Sequence, residues 1–333
     1  MPNVPDFFNQ EAFDQITMTE ALNKIPYQPR RLGALNLFEP TALDTDVVVI
    51  DETEGQIQIL DTRPRGAAPQ RAKTDIKPKA RAFQVPHMQF ETRLKASEIQ
   101  GKRRPGTTDL ESVAQKLNDK TLWFRNQIET THEIHRLNAL RGVLLDADGS
   151  VIFDFFDEFD VAQNAENFEF SNNTFKVREA CIDVARRIEE ELGDVSYTAL
   201  HAFCGREFFD ELTSHPLVRD TYIQQEAVRL RDDLRTGFTF GGITFEEYRG
   251  IRGNAVAEID DDKAYVIPLG TQGMFRFNYA PGDFMDTVNL AAMPMYMRTA
   301  PDTKYNRWVD LLGETNPLFI NTRPRAVVEL TAT

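Results

Sequence analysis

Glu129 and His132 lie three residues apart in a helix-patterned stretch, with Glu133 and His135 beside them. A carboxylate and an imidazole at that spacing share one helix face and can ligate a metal, as in carboxylate-bridged di-iron bundles. Such a centre needs a second Glu-x-x-His and two further glutamates, and the sequence has no second Glu-x-x-His. The zinc-protease pattern His-Glu-x-x-His fails by one residue, because His132 and His135 are three apart. The four side chains are therefore expected on a hydrated helix face. Asp146-Ala147-Asp148-Gly149 has the start of a calcium loop, but the third ligand before the glycine and the closing glutamate are missing, which leaves a turn. Gly237 to Gly242 has paired glycines without a following Gly-Lys-Ser/Thr, so it reads as a hairpin turn and not a phosphate cradle. Cys181 and Cys204 sit in no metal-binding or redox spacing and read as small buried hydrophobes. No catalytic residue, cofactor or metal site is expected.

The elements around these residues have unusual proportions. Thr108 and Glu111 have the spacing of a capping box, and Leu110, Val113, Leu117, Phe124, Ile128 and His135 recur at three and four, which predicts a helix from Thr108 to about Gly142. A second apolar line, Leu122, Ile134, Leu137 and Leu140, widens its stripe. At ~1.5 Å per residue it would be about 50 Å long, more than a compact enzyme domain needs. Prolines 26, 29 and 40 limit residues 1–40 to an arm. Val47 to Ile50 and Gln56 to Leu60 read as a hairpin around Glu54-Gly55, and Phe83, Val85 and Phe90 as a returning strand. Further on, strands are predicted at Val151 to Phe156, Tyr197 to Phe203, Lys263 to Pro268 and Ala326 to Thr331, and a hairpin at Phe238 to Tyr248. Helices are predicted at Phe175 to Leu192, stopped by Gly193, and at Glu207 to Thr213.

The 333 residues are 41% hydrophobic and carry a net charge of -14, a poor balance for a protein whose task is to grip nucleic acid. No apolar run reaches eighteen residues, and the N-terminus lacks the basic start and apolar run of a secretion signal, so a soluble chain made in the cytosol is expected. The cations are set apart: Arg63, Arg65, Arg71, Lys73, Lys77, Lys79 and Arg81 face only Asp75. The stretch reads either as a solvated loop or as an arm lying on the acidic face of a neighbouring copy, mobile when the subunit is alone. In the second reading Arg65, Lys77, Lys79 and Arg81 make inter-subunit contacts.

Six pieces carry a resemblance: Pro26-Tyr27-Gln28-Pro29 with Leu32-Gly33 and Leu37-Phe38; Pro64-Arg65-Gly66-Ala67; the run from Arg81 to His87; Glu98 to Arg103; Glu133 to Gly142 continuing into Leu145 to Gly149; and Asn316 to Val328. In this order they resemble the lambda-type major capsid proteins of tailed phages and prophages over nearly the whole chain. The resemblance implies an α+β Hong Kong ninety-seven-type capsid fold. Its parts would be an arm (1–46), an extended loop (47–90), a peripheral domain (91–174) with a spine helix at about 108–142, a mainly axial domain (175–315), and a C-terminal strand (316–333) returning to the peripheral domain. No long helical stretch precedes the arm, so a fused scaffolding segment is not expected.

The function so implied is a non-catalytic shell subunit, assembling as hexamers and pentamers around double-stranded DNA in the virion after synthesis in the host cytoplasm. Its partners would be copies of itself, a scaffolding protein, a portal protein and a decoration protein, with DNA contacted only non-specifically and no membrane. The alternative is an encapsulin-like bacterial compartment of the same fold enclosing cargo enzymes.

Overall fold

The structure, a computed structural model, describes residues 18–19, 22–23, 30–52, 79–100, 113–225, 235, 237–250 and 255–332. The run Gln56 to Leu60, the capping pair Thr108 and Glu111, and Arg65 and Lys77 lie outside the described residues. In chain order the elements begin α1 (Arg31–Ala34), β1 (Glu39–Ala42), β2 (Val47–Glu52), β3 (Lys79–Gln84), β4 (Met88–Lys95), α2 (Ala96–Ile99) and α3 (Val113–Arg141). Next come β5 (Val143–Leu145), β6 (Val151–Asp154), α4 (Phe155–Phe159), β7 (Asn164–Phe168), α5 (Val177–Leu192), β8 (Ala199–Cys204), α6 (Arg206–Ser214) and α7 (Pro216–Gln225). The chain closes with β9 (Phe238–Phe240), β10 (Ile243–Glu247), β11 (Lys263–Leu269), β12 (Phe275–Tyr279), β13 (Tyr296–Pro301), β14 (Trp308–Thr315), β15 (Pro317–Asn321) and β16 (Val328–Ala332).

The described part of α3 is 29 residues, about 44 Å at ~1.5 Å per residue. No single core can cover that length, and its two halves are buried differently. In the first half Leu117, Thr121, Phe124 and Ile128 form one stripe, while Leu122 and Trp123 stay 48% and 44% exposed. That stripe packs with Leu94, Met297 and Leu311 of the three-stranded sheet β13-β14-β4. From His132 to Leu140 almost every side chain is buried, and Leu137, Ala139 and Leu140 belong to the main core. Gly142, at φ +90°, ends the helix in a backbone conformation that favours glycine.

The main core is built under the six-stranded sheet β7-β16-β11-β8-β10-β9, with α5 contributing Val177, Cys181, Val184, Ile188 and Leu192 at helical spacing. A third sheet, β1-β12-β15, brings the arm strand β1 alongside β12 in parallel. Pairing crosses the expected domain boundaries: β14 joins β4, and β16 lies between β7 and β11. The C-terminal strand therefore does not return to the 91–174 stretch alone, because four of the six strands in its sheet come from 175–315.

Other expectations are corrected in detail. Among the described residues Val47 to Ile50 pair with β3, in register from Val47 opposite Gln84 to Glu52 opposite Lys79, and the run 56–60 expected in their hairpin lies outside the described residues. The strand at Val151 stops at Asp154, whose carboxylate accepts hydrogen bonds from the Phe156 N–H (2.9 Å) and the Asp157 N–H (3.4 Å) and so starts α4. Ala326 lies in a 3-10 turn before β16. The paired glycines do form the hairpin turn between β9 and β10, at φ +58° and +89°.

Gly313 of β14 sets the distance between α3 and its sheet. A Cβ there would stand 2.3 Å from the buried Phe124 ring and 3.2 Å from Phe90. Gly313→Ala should destabilise the subunit by ~1–3 kcal/mol in urea unfolding, as an overpacked core site does. Because Phe124→Leu frees that space, the double variant should be less destabilised than the sum of the singles. Additive losses would show that Gly313 does not limit this packing.

Candidate assembly interface

The four polar residues on α3 are not on a hydrated face. His132, Glu133 and His135 are 2–3% exposed, and half-buried Glu129 follows one turn before Glu133. The periodicity was ambiguous here because both faces of this half of the helix are covered. The Glu133 carboxylate accepts from the Leu32 N–H (2.7 Å) and the Gly33 N–H (3.0 Å), capping α1 of the arm from 100 residues away in sequence. Arg136 stands 3.5 Å from Glu133, with its guanidinium 5.2 Å from the Phe319 ring centroid. His132 Nε2 lies 3.0 Å from the Thr315 hydroxyl, with the ring edge-on to Phe277 and Phe319. Glu133 is committed to the arm, His132 and His135 to packing, and Glu129 stands 3.5 Å from Arg125 of the same helix; among the described residues no group of three or more His, Cys, Asp or Glu could hold a metal ion.

A second set of contacts extends the anchoring. Arg31 makes a bidentate ion pair with Glu246, whose other neighbour is His201 Nε2 at 3.1 Å. Burial opposes ionisation of Glu246, but the hydrogen bonds from His201 and Arg31 outweigh it and hold the carboxyl below its ordinary range. Arg125 donates to the Leu22 carbonyl (2.6 Å), the Thr19 hydroxyl to the Met297 carbonyl (3.0 Å), and the Asn23 amide to the Met295 carbonyl (3.0 Å). The described parts of the arm thus run along α3 and end in a strand on β12. A cleft of about 290 Å³ remains between them, walled by Leu32, Leu37, Arg125, Glu129, His132 and Arg136. Neither Glu246 nor His201 stood out in the sequence, since Arg31 meets Glu246 across 215 residues and His201 meets Glu246 across 45.

Burial and not catalysis accounts for the displaced titrations on α3. His132 is held well below the ordinary histidine range by burial, with Arg136 and His135 adding to the effect. His135 is pushed down to about 4 by burial, Asp146 opposing. Cys181 and Cys204 are buried free thiols, Cys181 raised to about 12 by the same cause. The Asp146–Gly149 stretch is the turn of the β5–β6 hairpin, closed by Gly149 N–H to the Asp146 carbonyl at 3.0 Å.

The surfaces left uncovered are of another kind. On the β2–β3 hairpin Val48, Ile50 and Phe83 point into the core, while Val47 and Val49 are 37% and 60% exposed beside exposed Ala82 and Gln84. Lys79 closes the described register opposite Glu52. Arg81 places its guanidinium 5.0 Å from the Phe159 ring centroid of its own subunit, so this candidate contact is partly engaged at home. Between β12 and β13 a long loop exposes Met285 (96%), Val288 (60%) and Leu290 (56%). The sequence signal for that loop was available: apolar residues among Gly, Asp, Asn and Pro with neither helical nor strand period.

Comparison with known proteins gives a consistent assignment. Residues 14–332 match the family model described as "Phage major capsid protein E". The major capsid protein of Pseudomonas phage KPP10 is 27% identical, with 96% of this chain and 97% of that one covered. The major capsid protein of Salmonella phage Felix O1 is 24% identical, with 95% of each covered. Among solved structures, the putative capsid protein of an Escherichia coli CFT073 prophage shares the fold with a TM-score of 0.58 at 14% identity, over 94% of this chain and 96% of that one.

Because His135 stays neutral when folded down to about pH 4 but titrates near 6.5 when unfolded, the unfolded chain binds the extra proton between those values. Its contribution is fully present above about 6.5 and falls away as the pH drops toward 4. From pH 7 to pH 5 the subunit should lose about 2 kcal/mol through this residue in denaturant titrations, and His135→Leu should flatten that slope. An unchanged slope in the variant would assign the acid sensitivity elsewhere.

Proposed function

The chain belongs to the phage major capsid protein E family, and we propose that it builds an icosahedral head of hexamers and pentamers around a double-stranded DNA genome. As a major capsid protein it is a structural subunit that self-assembles into shells, not an enzyme, and its place is the virion. The observation that supports the assignment best is the family match over residues 14–332. The geometry is in keeping with it: a helix of about 44 Å spans two cores, and the chain carries a hairpin with one exposed face and a loop with exposed apolar side chains. Such extended parts supply the interface area that a lattice needs.

The finer reading concerns the hairpin. Arg65, Lys77, Lys79 and Arg81 are assigned to contacts with a neighbouring subunit, on the ground that this basic stretch sits in a chain of net charge -14. Each exposed ion pair contributes only ~0.2–1 kcal/mol, but repetition through a closed lattice accumulates. We assign residues 1–46 to an arm, 47–90 to the extended loop, 91–174 to the peripheral domain and 175–315 mainly to the axial domain. The partners beyond the chain itself would be scaffolding, portal and decoration proteins, with assembly in the host cytoplasm. The acidic balance would limit adhesion of packaged DNA. The family match favours this over a cargo compartment.

Expressed with a scaffolding protein, the subunit should form closed shells visible by electron microscopy. Only monomers and dimers under every assembly condition would contradict the assignment. Arg65→Glu, Lys77→Glu and Lys79→Glu together should leave the subunit folded and block assembly, and raised salt should slow assembly of the parent. Arg81 is left unchanged because it also packs on Phe159. A triple variant that builds shells at the parent's rate would reduce the segment to a solvated loop.

A further inference from the structure

β4 differs from the other sheet edges. It is the longest edge strand among those described, eight residues without a proline, and the one described strand paired with it is β14. The opposite edge of the same sheet is closed by the arm. At β13 the Thr19 hydroxyl donates to the Met297 carbonyl (3.0 Å) and accepts from the Met297 N–H (3.2 Å), and the Asn23 amide donates to the Met295 carbonyl (3.0 Å). At β7 Arg187 donates to the Ala165 carbonyl (3.2 Å) and pairs with Glu166, while β9 has three residues and β1 four, one of them Pro40. A long strand edge left open is a template for a further strand. The helix above the sheet is asymmetric in the same sense. Arg125 ties α3 to Leu22 of the arm (2.6 Å), whereas Lys120 and Trp123 lie over β4. The Lys120 ammonium is 3.4 Å from the Thr92 hydroxyl, and the Trp123 ring meets Phe90 edge-on at 6.0 Å while remaining 44% exposed.

We infer that β4 pairs antiparallel with β4 of a second copy about a two-fold axis through Thr92, joining two three-stranded sheets into one. The inference rests on the shell reading above and adds what contacts within a ring do not supply. Rings close by head-to-tail contacts between different patches, whereas a contact on a two-fold axis needs a surface complementary to itself. The residues of β4 have that property in this register. Opposed residues of an antiparallel pair share a face, so Phe90 meets Leu94 of the copy on the side of Trp123, and Thr92 meets Thr92. On the other face Glu91 meets Arg93, and Gln89 meets Lys95. Arg93 gives Nε and Nη2 to Asp310 of its own subunit, which leaves Nη1 for Glu91 of the copy. An axis through Glu91 or through Arg93 would instead oppose like charges, which destabilises a sheet. Lys120 brings one cation per copy toward the axis, balanced in net charge by exposed Asp119 beside it.

Disulfide trapping reads both the contact and its register. Opposed Cα atoms in an antiparallel pair are about 4.5–5.5 Å apart, within disulfide reach, and the native thiols Cys181 and Cys204 are buried. Shells of Thr92→Cys subunits, mildly oxidised and run on a non-reducing gel, should lose most of the monomer band to a dimer. Shells of Gln89→Cys or of Lys95→Cys alone should stay monomeric on the gel, because each residue stands about 20 Å from its own counterpart. Shells mixed from the two should give dimers. Both of these positions are exposed, so the mixture carries the test even where Thr92→Cys does not fold. Intact Thr92→Cys or mixed shells without dimers, or dimers from Gln89→Cys alone, would overturn the pairing while leaving the shell reading in place. Failure of the wild-type chain to form shells would remove both.

Discussion

The burial of α3 is the constraint on which the other features depend. A helix of about 44 Å cannot rest on one core, so the chain supplies two, and the helix passes from a single buried stripe to burial on all sides. Its polar residues at the crossing would be costly there without partners. Glu133 is satisfied by two backbone amides of the arm, and His132 by Thr315. Arm and helix are therefore energetically one unit.

What is left outside that unit is available for lattice contacts. The hairpin keeps one face in the main core through Phe83, Val48 and Ile50 and turns Val47 and Val49 outward. The loop after β12 does the converse with backbone anchors and exposed apolar side chains. Neither surface stabilises the subunit alone, and both suit a protein whose function is to be repeated. The family assignment and the physical reading meet at this point, since a shell subunit needs a rigid body with attached contact surfaces.

Much of the architecture was legible locally. The apolar spacing of α3 and α5, the Gly193 stop and the glycine turn between β9 and β10 each follow from a few neighbouring residues. Strand pairing was not, because β14 with β4 and β16 with β7 join residues more than 150 apart, and nothing in a period of two names a partner. The hydrated-face reading of His132 and Glu133 failed for the same reason: the arm and β15 that cover them are distant in sequence. Of the four candidate contact residues only Arg81 has a described side chain, and its cation–π contact with Phe159 depends on a long-range fold that the charge pattern does not reveal.

Amide hydrogen exchange on free subunits and assembled shells tests the division between a finished body and open contact surfaces most directly. Residues 128–140 of α3 and the Leu32 and Gly33 amides held by Glu133 should be equally protected in both states. The loop from Phe284 to Met293 should slow only in the shell. Rapid exchange along 128–140 in the free subunit, with protection gained only on assembly, would show that the arm and helix are not one unit before the lattice forms and would contradict the account.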